Sequence, residues 1–174
     1  LQGKSVWVID ANSLIFQVFH AIAEMTSPRG EPVNAVYGFA RDLLFLLEQK
    51  KPDYLFAAFD LPGKTFRHEL SPEYKATRQE MPADLAPQFP AIERLLAAFD
   101  IPVLTCPAFE ADDILATVAR ITEEQGGECY LVTADKDCRQ LISDQVRLFN
   151  IRKNQVYDRQ SLAAEWGVAP EQVV

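Results

Sequence analysis

Hydrophobic and polar positions follow two periods along the chain. Ser5-Val-Trp-Val-Ile-Asp10 is a short β-rich apolar run ending on an acid. Leu14, Ile15, Val18, Phe19 and Ile22 then recur at helical spacing, with Asn12 or Ser13 as the expected cap. Thr26-Ser-Pro-Arg-Gly-Glu-Pro32 has the composition of a loop. A second helix is predicted over 35–50, where Val36, Phe39, Leu43, Leu44 and Leu47 share a stripe. Tyr54-Leu-Phe-Ala-Ala-Phe-Asp60 repeats the opening pattern, and Cys129-Tyr-Leu-Val-Thr-Ala-Asp135 repeats it again. Between them lie helices predicted over 91–99 and 110–124, the latter closed by Gly126-Gly127, and a short strand over 102–105. A strand at Val146–Phe149 and a short helix from Ser161 to Trp166, ended by Gly167, complete the pattern.

Strands alternating with helices of this length predict βαβ units and an α/β fold with a mainly parallel central sheet. Right-handed crossovers put the strand C-termini on one edge, outside which ligands bind. Asp10, Asp60 and Asp135 each fall at or just beyond such an end, so three acids far apart in sequence are predicted to meet. Glu110-Ala-Asp112-Asp113 at a helix start and Asp137 after Asp135 are predicted to join them. A solitary acid at a strand end is often solvated, and acids in a first helical turn are favoured by the helix dipole. Those ordinary explanations weaken when three strand ends and one helix start all bring acids to the same edge.

Composition sharpens this reading. The 174 residues carry 48% hydrophobic and 24% charged residues, ordinary for a folded domain. Three cysteines without a CxxC, unpaired with the two histidines, argue against a disulfide scaffold and a zinc site and fit reduced, partly buried thiols. Continuous apolar runs such as Leu43 to Leu47 are far too short to span a bilayer, so no membrane span is expected. The start, Leu1-Gln2-Gly3-Lys4, lacks an initiator Met and a signal peptide, and the chain is expected to be a fragment.

The formal charge of −8 argues against binding a phosphate backbone, unless the acids are concentrated where divalent cations sit. Removing the seven candidates, Asp10, Asp60, Glu110, Asp112, Asp113, Asp135 and Asp137, leaves a charge of −1. Seven converging carboxylates repel one another unless protonated or bridged by cations. An all-oxygen set suits Mg²⁺ or Mn²⁺, and the number of acids suits two ions, about 4 Å apart, better than one.

Residues 61–90 differ from the rest. They hold five prolines and the basic and aromatic residues Lys64, Phe66, Arg67, His68, Tyr74, Lys75 and Arg78. So long a connection is commonly functional, and interleaved cations and aromatics suit phosphates and unstacked bases. Glu69, Glu73 and Glu80 dilute the charge, and an ordinary solvated loop has the same composition. Beside a metal cluster the binding reading is preferred. His68 is expected at the surface, and His20 is expected to pack.

At these residues the sequence resembles the 5′-nuclease domain at the N-terminus of bacterial DNA polymerase I, within the flap-endonuclease superfamily. The matching stretches are Val8-Ile-Asp10, Ser27-Pro-Arg-Gly-Glu-Pro32, Ala35-Val-Tyr-Gly-Phe39, Phe59-Asp60, Phe66-Arg-His68, Tyr74-Lys75 with Arg78, Phe109-Glu-Ala-Asp-Asp113 and Thr133-Ala-Asp-Lys-Asp137. They run in order through nearly the whole chain.

The resemblance implies a PIN-like three-layer fold over 1–174, with a basic arch-like connection at about 61–90. It implies metal-dependent cleavage of 5′-flap or 5′-end DNA in replication and repair, including removal of RNA primers. By position, Asp10, Asp60, Glu110 and Asp112 resemble ligands of a first Mg²⁺ or Mn²⁺, with Asp113 close by, and Asp135 and Asp137 ligands of a second. Arg29, Arg67, Tyr74, Lys75 and Arg78 resemble substrate-binding residues, with Lys75 and Arg78 also catalytic. The resemblance further implies a monomer in the bacterial cytoplasm, associated with the nucleoid, and a polymerase domain on the same polypeptide. The family's helix–hairpin–helix region lies beyond Val174, so a weak second metal and impaired activity are expected of this chain.

Three rivals remain open: a PIN-type ribonuclease, a phosphoryl-transfer fold with Asp10 as nucleophile, and a DNA-binding module with little activity. The basic-aromatic connection favours DNA over RNA. An Asp10 nucleophile leaves the acids at 110–113 without a role.

Overall fold

The computed structural model describes residues 1–71, 73–75 and 80–173. Six strands form one sheet in the order β3-β2-β1-β4-β5-β6. They are β1 (Ser5–Asp10), β2 (Tyr54–Ala58), β3 (Val103–Leu104), β4 (Glu128–Val132), β5 (Val146–Asn150) and β6 (Gln155–Tyr157). The first five are mutually parallel, and β6 pairs antiparallel to β5 through a tight turn. The helices are α1 (Ala11–Ala21), α2 (Asn34–Phe45), α3 (Phe66–Leu70), α4 (Phe89–Ala98), α5 (Ala111–Glu124) and α6 (Arg159–Trp166).

The sheet is covered on both faces, which makes the architecture three-layered. Side chains alternate across a strand, and so Trp7, Ile9, Ala57, Val132 and Phe149 pack into one core with α1, α2 and α4. Val8, Ala58, Cys129, Leu131 and Leu148 pack into a second core with α5 and α6. Strand β1 is buried from Val6 to Asp10, as a central strand with both faces covered must be.

Order and register fix where the acids meet. Asp10 stands opposite Ala58, and Ile9 opposite Val132. The exits of β2, β1 and β4 therefore lie side by side, about 4.8 Å apart per strand. The chain runs outward in both directions from β1, which makes its C-terminal end the topological switch point of the sheet.

Several local expectations are corrected. The cap of α1 is Asp10, whose carboxylate accepts from the Ser13 N–H, rather than Asn12 or Ser13. His20 is exposed, edge-on to Phe19, rather than packed. His68 is half-buried, and its Nδ1 lies 3.0 Å from the Thr65 nitrogen, closing the start of α3. The predicted helix over 35–50 is α2 followed by one π-helical turn, Leu46–Lys50. The long connection is partly structured by α3 and is anchored at its end by Gln88. This 1% exposed side chain accepts from the Ala35 and Val36 N–H groups and donates to Asn34. It thus satisfies the start of α2, which has no cap side chain of its own. Cys129 and Cys138 are buried and Cys106 is exposed, all as free thiols.

Candidate metal centre

Asp10, Asp60, Glu110, Asp112 and Asp135 line one cleft of about 320 Å³, together with Asn12, Ser13, Phe16, Gln17 and Lys75. The five acids arrive from four places in the chain. Asp10 ends β1, Asp60 follows β2, Glu110 and Asp112 open α5, and Asp135 follows β4.

Hydrogen bonds tie these ends together. Asp10 accepts from the Ser13 N–H at 3.1 Å and from the Thr133 hydroxyl at 2.9 Å. The same Thr133 hydroxyl accepts from the Asp135 N–H at 3.1 Å. Asn12 accepts from the Asp60 N–H, and the Asp60 carboxylate accepts from the Ala111 N–H at 2.7 Å, which seats it on the N-terminus of α5. The Asp137 N–H donates to Asp135 at 2.9 Å, and the Cys138 thiol lies 3.7 Å from Asp112.

Glu110 is the N-cap of α5 in an extended conformation, so it does not share a helical face with Asp113. Its carboxylate meets three groups of the connection: Lys75 Nζ at 2.8 Å, the Tyr74 hydroxyl at 3.0 Å and Arg67 Nη1 at 3.6 Å. Asp113 turns away from the cleft. It receives a bidentate pair from Arg67 at 2.7 and 2.8 Å and accepts from the Glu110 N–H at 2.9 Å. Asp113 and Asp137 instead line an adjoining depression of about 180 Å³ with Arg67, Asp112 and Cys138. Asp112 belongs to both hollows. Arg29 sits in the exposed turn after Ser27 and does not line the cleft. Arg78 lies outside the described residues.

The electrostatics divide the acids into two groups. Burial pushes the Asp10 carboxyl up to about 6, against the pull of Ser13 and Thr133, and Asp112 and Asp60 push it the same way. Asp112 is also raised, by burial and then by Asp135 and Asp60. On the other wall, burial works against Glu110, but Lys75, Tyr74 and Arg67 together hold it below the usual carboxylate range. The Arg67 pair holds Asp113 low. Among the described residues, burial and mutual repulsion thus dominate at Asp10 and Asp112, while Lys75 and Arg67 dominate at Glu110 and Asp113.

That imbalance and the all-oxygen donor set fit a hard divalent cation. Among the described residues, no three His, Cys, Asp or Glu side chains form a group that could hold an ion by themselves. Mg²⁺ usually takes one or two carboxylates and keeps several waters, and the cleft has room for a hydrated ion at about 30 Å³ per water.

Asn12 and Ser13 were expected only as helix caps and Thr133 only as part of a matching stretch, yet all three hold the acids in place. The available signal was position, since each is a small polar residue two or three places from a candidate acid. Phe16 and Gln17 carried none, being neither acids nor part of the apolar spacing predicted for α1.

Comparison with known proteins identifies the family and the fold. Residues 5–167 match the family described as 5′-3′ exonuclease, N-terminal resolvase-like domain. The chain is 33% identical over 170 residues to a 5′-3′ exonuclease of Aquifex aeolicus, covering 98% of this chain and 59% of that protein. It is 43% identical over 143 residues to DNA polymerase I of Chloroflexus aurantiacus, covering 81% of this chain and 15% of that one. In solved structures the fold recurs in a T5 5′-exonuclease with bound zinc, at a TM-score of 0.76 and 21% identity, covering 98% of this chain and 64% of that one. The chain thus spans about three fifths of the exonuclease relative and a small part of the polymerase. It has a PIN-like α/β fold and belongs to the 5′-3′ exonuclease N-terminal resolvase-like domain family.

Proposed function

We propose that the chain is the catalytic unit of a structure-directed 5′-nuclease, which hydrolyses phosphodiester bonds in DNA bearing a 5′ end or 5′ flap. The observation that carries this reading is the cleft. Acids from three neighbouring strand ends and the start of α5 face it, and Lys75 closes the opposite wall. A phosphodiester is an anion, and it enters such a site only between positive groups on both sides.

Residues Asp10, Asp60, Asp112 and Asp135 would hold Mg²⁺ or Mn²⁺, with Asp137 beside them. Bound divalent cations supply charge that polarises the scissile phosphate and activates water. The chain's own residues do the rest. Lys75 shares its ammonium between Glu110 and the incoming phosphate, offsetting charge that builds up in the transition state. Tyr74, fixed by Glu110, offers a ring on which an unpaired base stacks, a contact worth about 1–3 kcal/mol. Arg67 anchors α3 to the start of α5 through Asp113, which sets the base of the connection against the cleft. Arg78 is assigned the same charge-offsetting role as Lys75. Water adds to phosphorus, the bond to the 3′-oxygen breaks, and the products are a 5′-phosphate and a 3′-hydroxyl.

This activity suits removal of flaps and RNA primers during replication and repair in a bacterial cytoplasm, alongside a polymerase on the same polypeptide. Among the described residues no helix is long and apolar enough to cross a membrane.

The test is cleavage of end-labelled 5′-flap DNA by the full-length polypeptide that carries this chain, in Mn²⁺ and in chelator. Cleavage is expected only with Mn²⁺. Asp135→Asn is expected to abolish it while sparing DNA binding, and Lys75→Ala to slow turnover more than it weakens binding. Undiminished cleavage by Asp135→Asn, or a preference for single-stranded RNA over flap DNA, contradicts the reading.

A further inference from the structure

Arg139 is a full positive charge with only 6% of its surface exposed, and neither the sheet nor the cleft accounts for it. It lies two residues beyond Asp137, in the 3₁₀ turn Asp137–Leu141 that leaves the acidic rim. Its guanidinium carbon is 4.1 Å from the ring centroid of Trp166 and 4.8 Å from that of Tyr157. Its Nη2 meets a Glu165 oxygen at 3.1 Å. Its Nη1 is buried with no hydrogen-bond partner among the described residues.

A buried guanidinium with one nitrogen unsatisfied is a costly way to fill space, and an apolar side chain would serve packing alone at least as well. What the planar, forked group provides is direction. Stacking and ion pairing together fix the turn's position relative to α6. The other side of the turn touches the cleft, through the Asp137 N–H on Asp135 and the Cys138 thiol beside Asp112. The turn thus carries Asp137 itself and touches Asp135 and Asp112 through these two contacts.

We propose that Arg139 is a positioning residue, which locks this turn onto α6 and so sets the geometry of the acids on the Asp135 side of the cleft. The proposal rests on reading the cleft as a divalent-cation site. Outer residues of this kind typically change metal affinity by about 10–100-fold when removed.

The experiment is Mn²⁺ titration followed by electron paramagnetic resonance, with melting curves in chelator, on wild type, Asp135→Asn, Arg139→Met and Arg139→Lys. Asp135→Asn sets the scale of loss for that side. Arg139→Met keeps an apolar side chain between the rings and is expected to weaken Mn²⁺ binding about tenfold, towards the Asp135→Asn value. Arg139→Lys is expected to recover part of the loss. Mn²⁺ affinity unchanged in Arg139→Met but reduced in Asp135→Asn overturns the proposal alone. Mn²⁺ binding absent from wild type, or indifferent to Asp135→Asn, overturns the cation reading and the proposal together. If Arg139→Met fails to fold, Glu165→Gln removes only the ion pair. Weaker Mn²⁺ binding then supports the clamp, and wild-type binding overturns it.

Discussion

Asp10 ends the central strand with its carboxylate almost entirely out of water, accepting two hydrogen bonds and facing two other acids. Its carboxyl is raised from 3.8 to about 6, so between these values the native state binds more protons than the unfolded state. Stability of the metal-free protein therefore falls as pH rises through this window, by about 3 kcal/mol at most. Asp10→Asn keeps an acceptor for the Ser13 N–H and can donate to Thr133. In chelator at pH 8 it is expected to be about 1–3 kcal/mol more stable than wild type, with the slope between pH 4 and 6 flattened. Urea denaturation across that range checks this, and an unchanged slope contradicts it. At this scale the sequence was a good guide to which residues matter but a poor one to what each contacts. The period of the strands pointed to Asp10, Asp60 and Asp135. Asp113 was one of the seven candidate acids, yet its carboxylate faces Arg67, a partner 46 residues away that no local pattern encodes.

The elements that position the site depend on close packing between α1 and α2. Gly38 of α2 lies against α1, and a Cβ there would meet Ile22 Cδ1 at 2.5 Å and Val18 Cβ at 2.7 Å. Gly38→Ala is expected to destabilise the protein by about 1–3 kcal/mol, because a methyl group has no space in a filled interface. A lower urea midpoint at unchanged slope is the readout, and an unchanged midpoint contradicts the packing described. Strands β1, β2, β4 and β5 and helices α1, α2, α4, α5 and α6 were all legible from the sequence pattern. Strand β6 was not, because three residues are too few to show alternation and its pairing depends on β5. Helix α3 was hidden for a similar reason, as five residues among prolines and charges carry no hydrophobic stripe. The edge strand β3 is only two residues long and lies within the short strand expected over 102–105.

Over the whole molecule, a charge of −8 would oppose approach to a nucleic acid if it were spread evenly. The strand order gathers five acids into one cleft at the switch point of the sheet, and Arg67, Tyr74 and Lys75 meet its far wall from a connection that begins beside it. Adjacency of the β2, β1 and β4 exits was predicted only as far as a parallel sheet implies a shared edge. The order that makes them immediate neighbours comes from long-range pairing. The most direct measurement is anomalous diffraction from crystals of the chain soaked in Mn²⁺. The account predicts manganese peaks in the cleft among Asp10, Asp60, Asp112 and Asp135, lost from crystals of Asp10→Asn. Peaks confined to surface carboxylates elsewhere, with the cleft empty at saturating Mn²⁺, would contradict it.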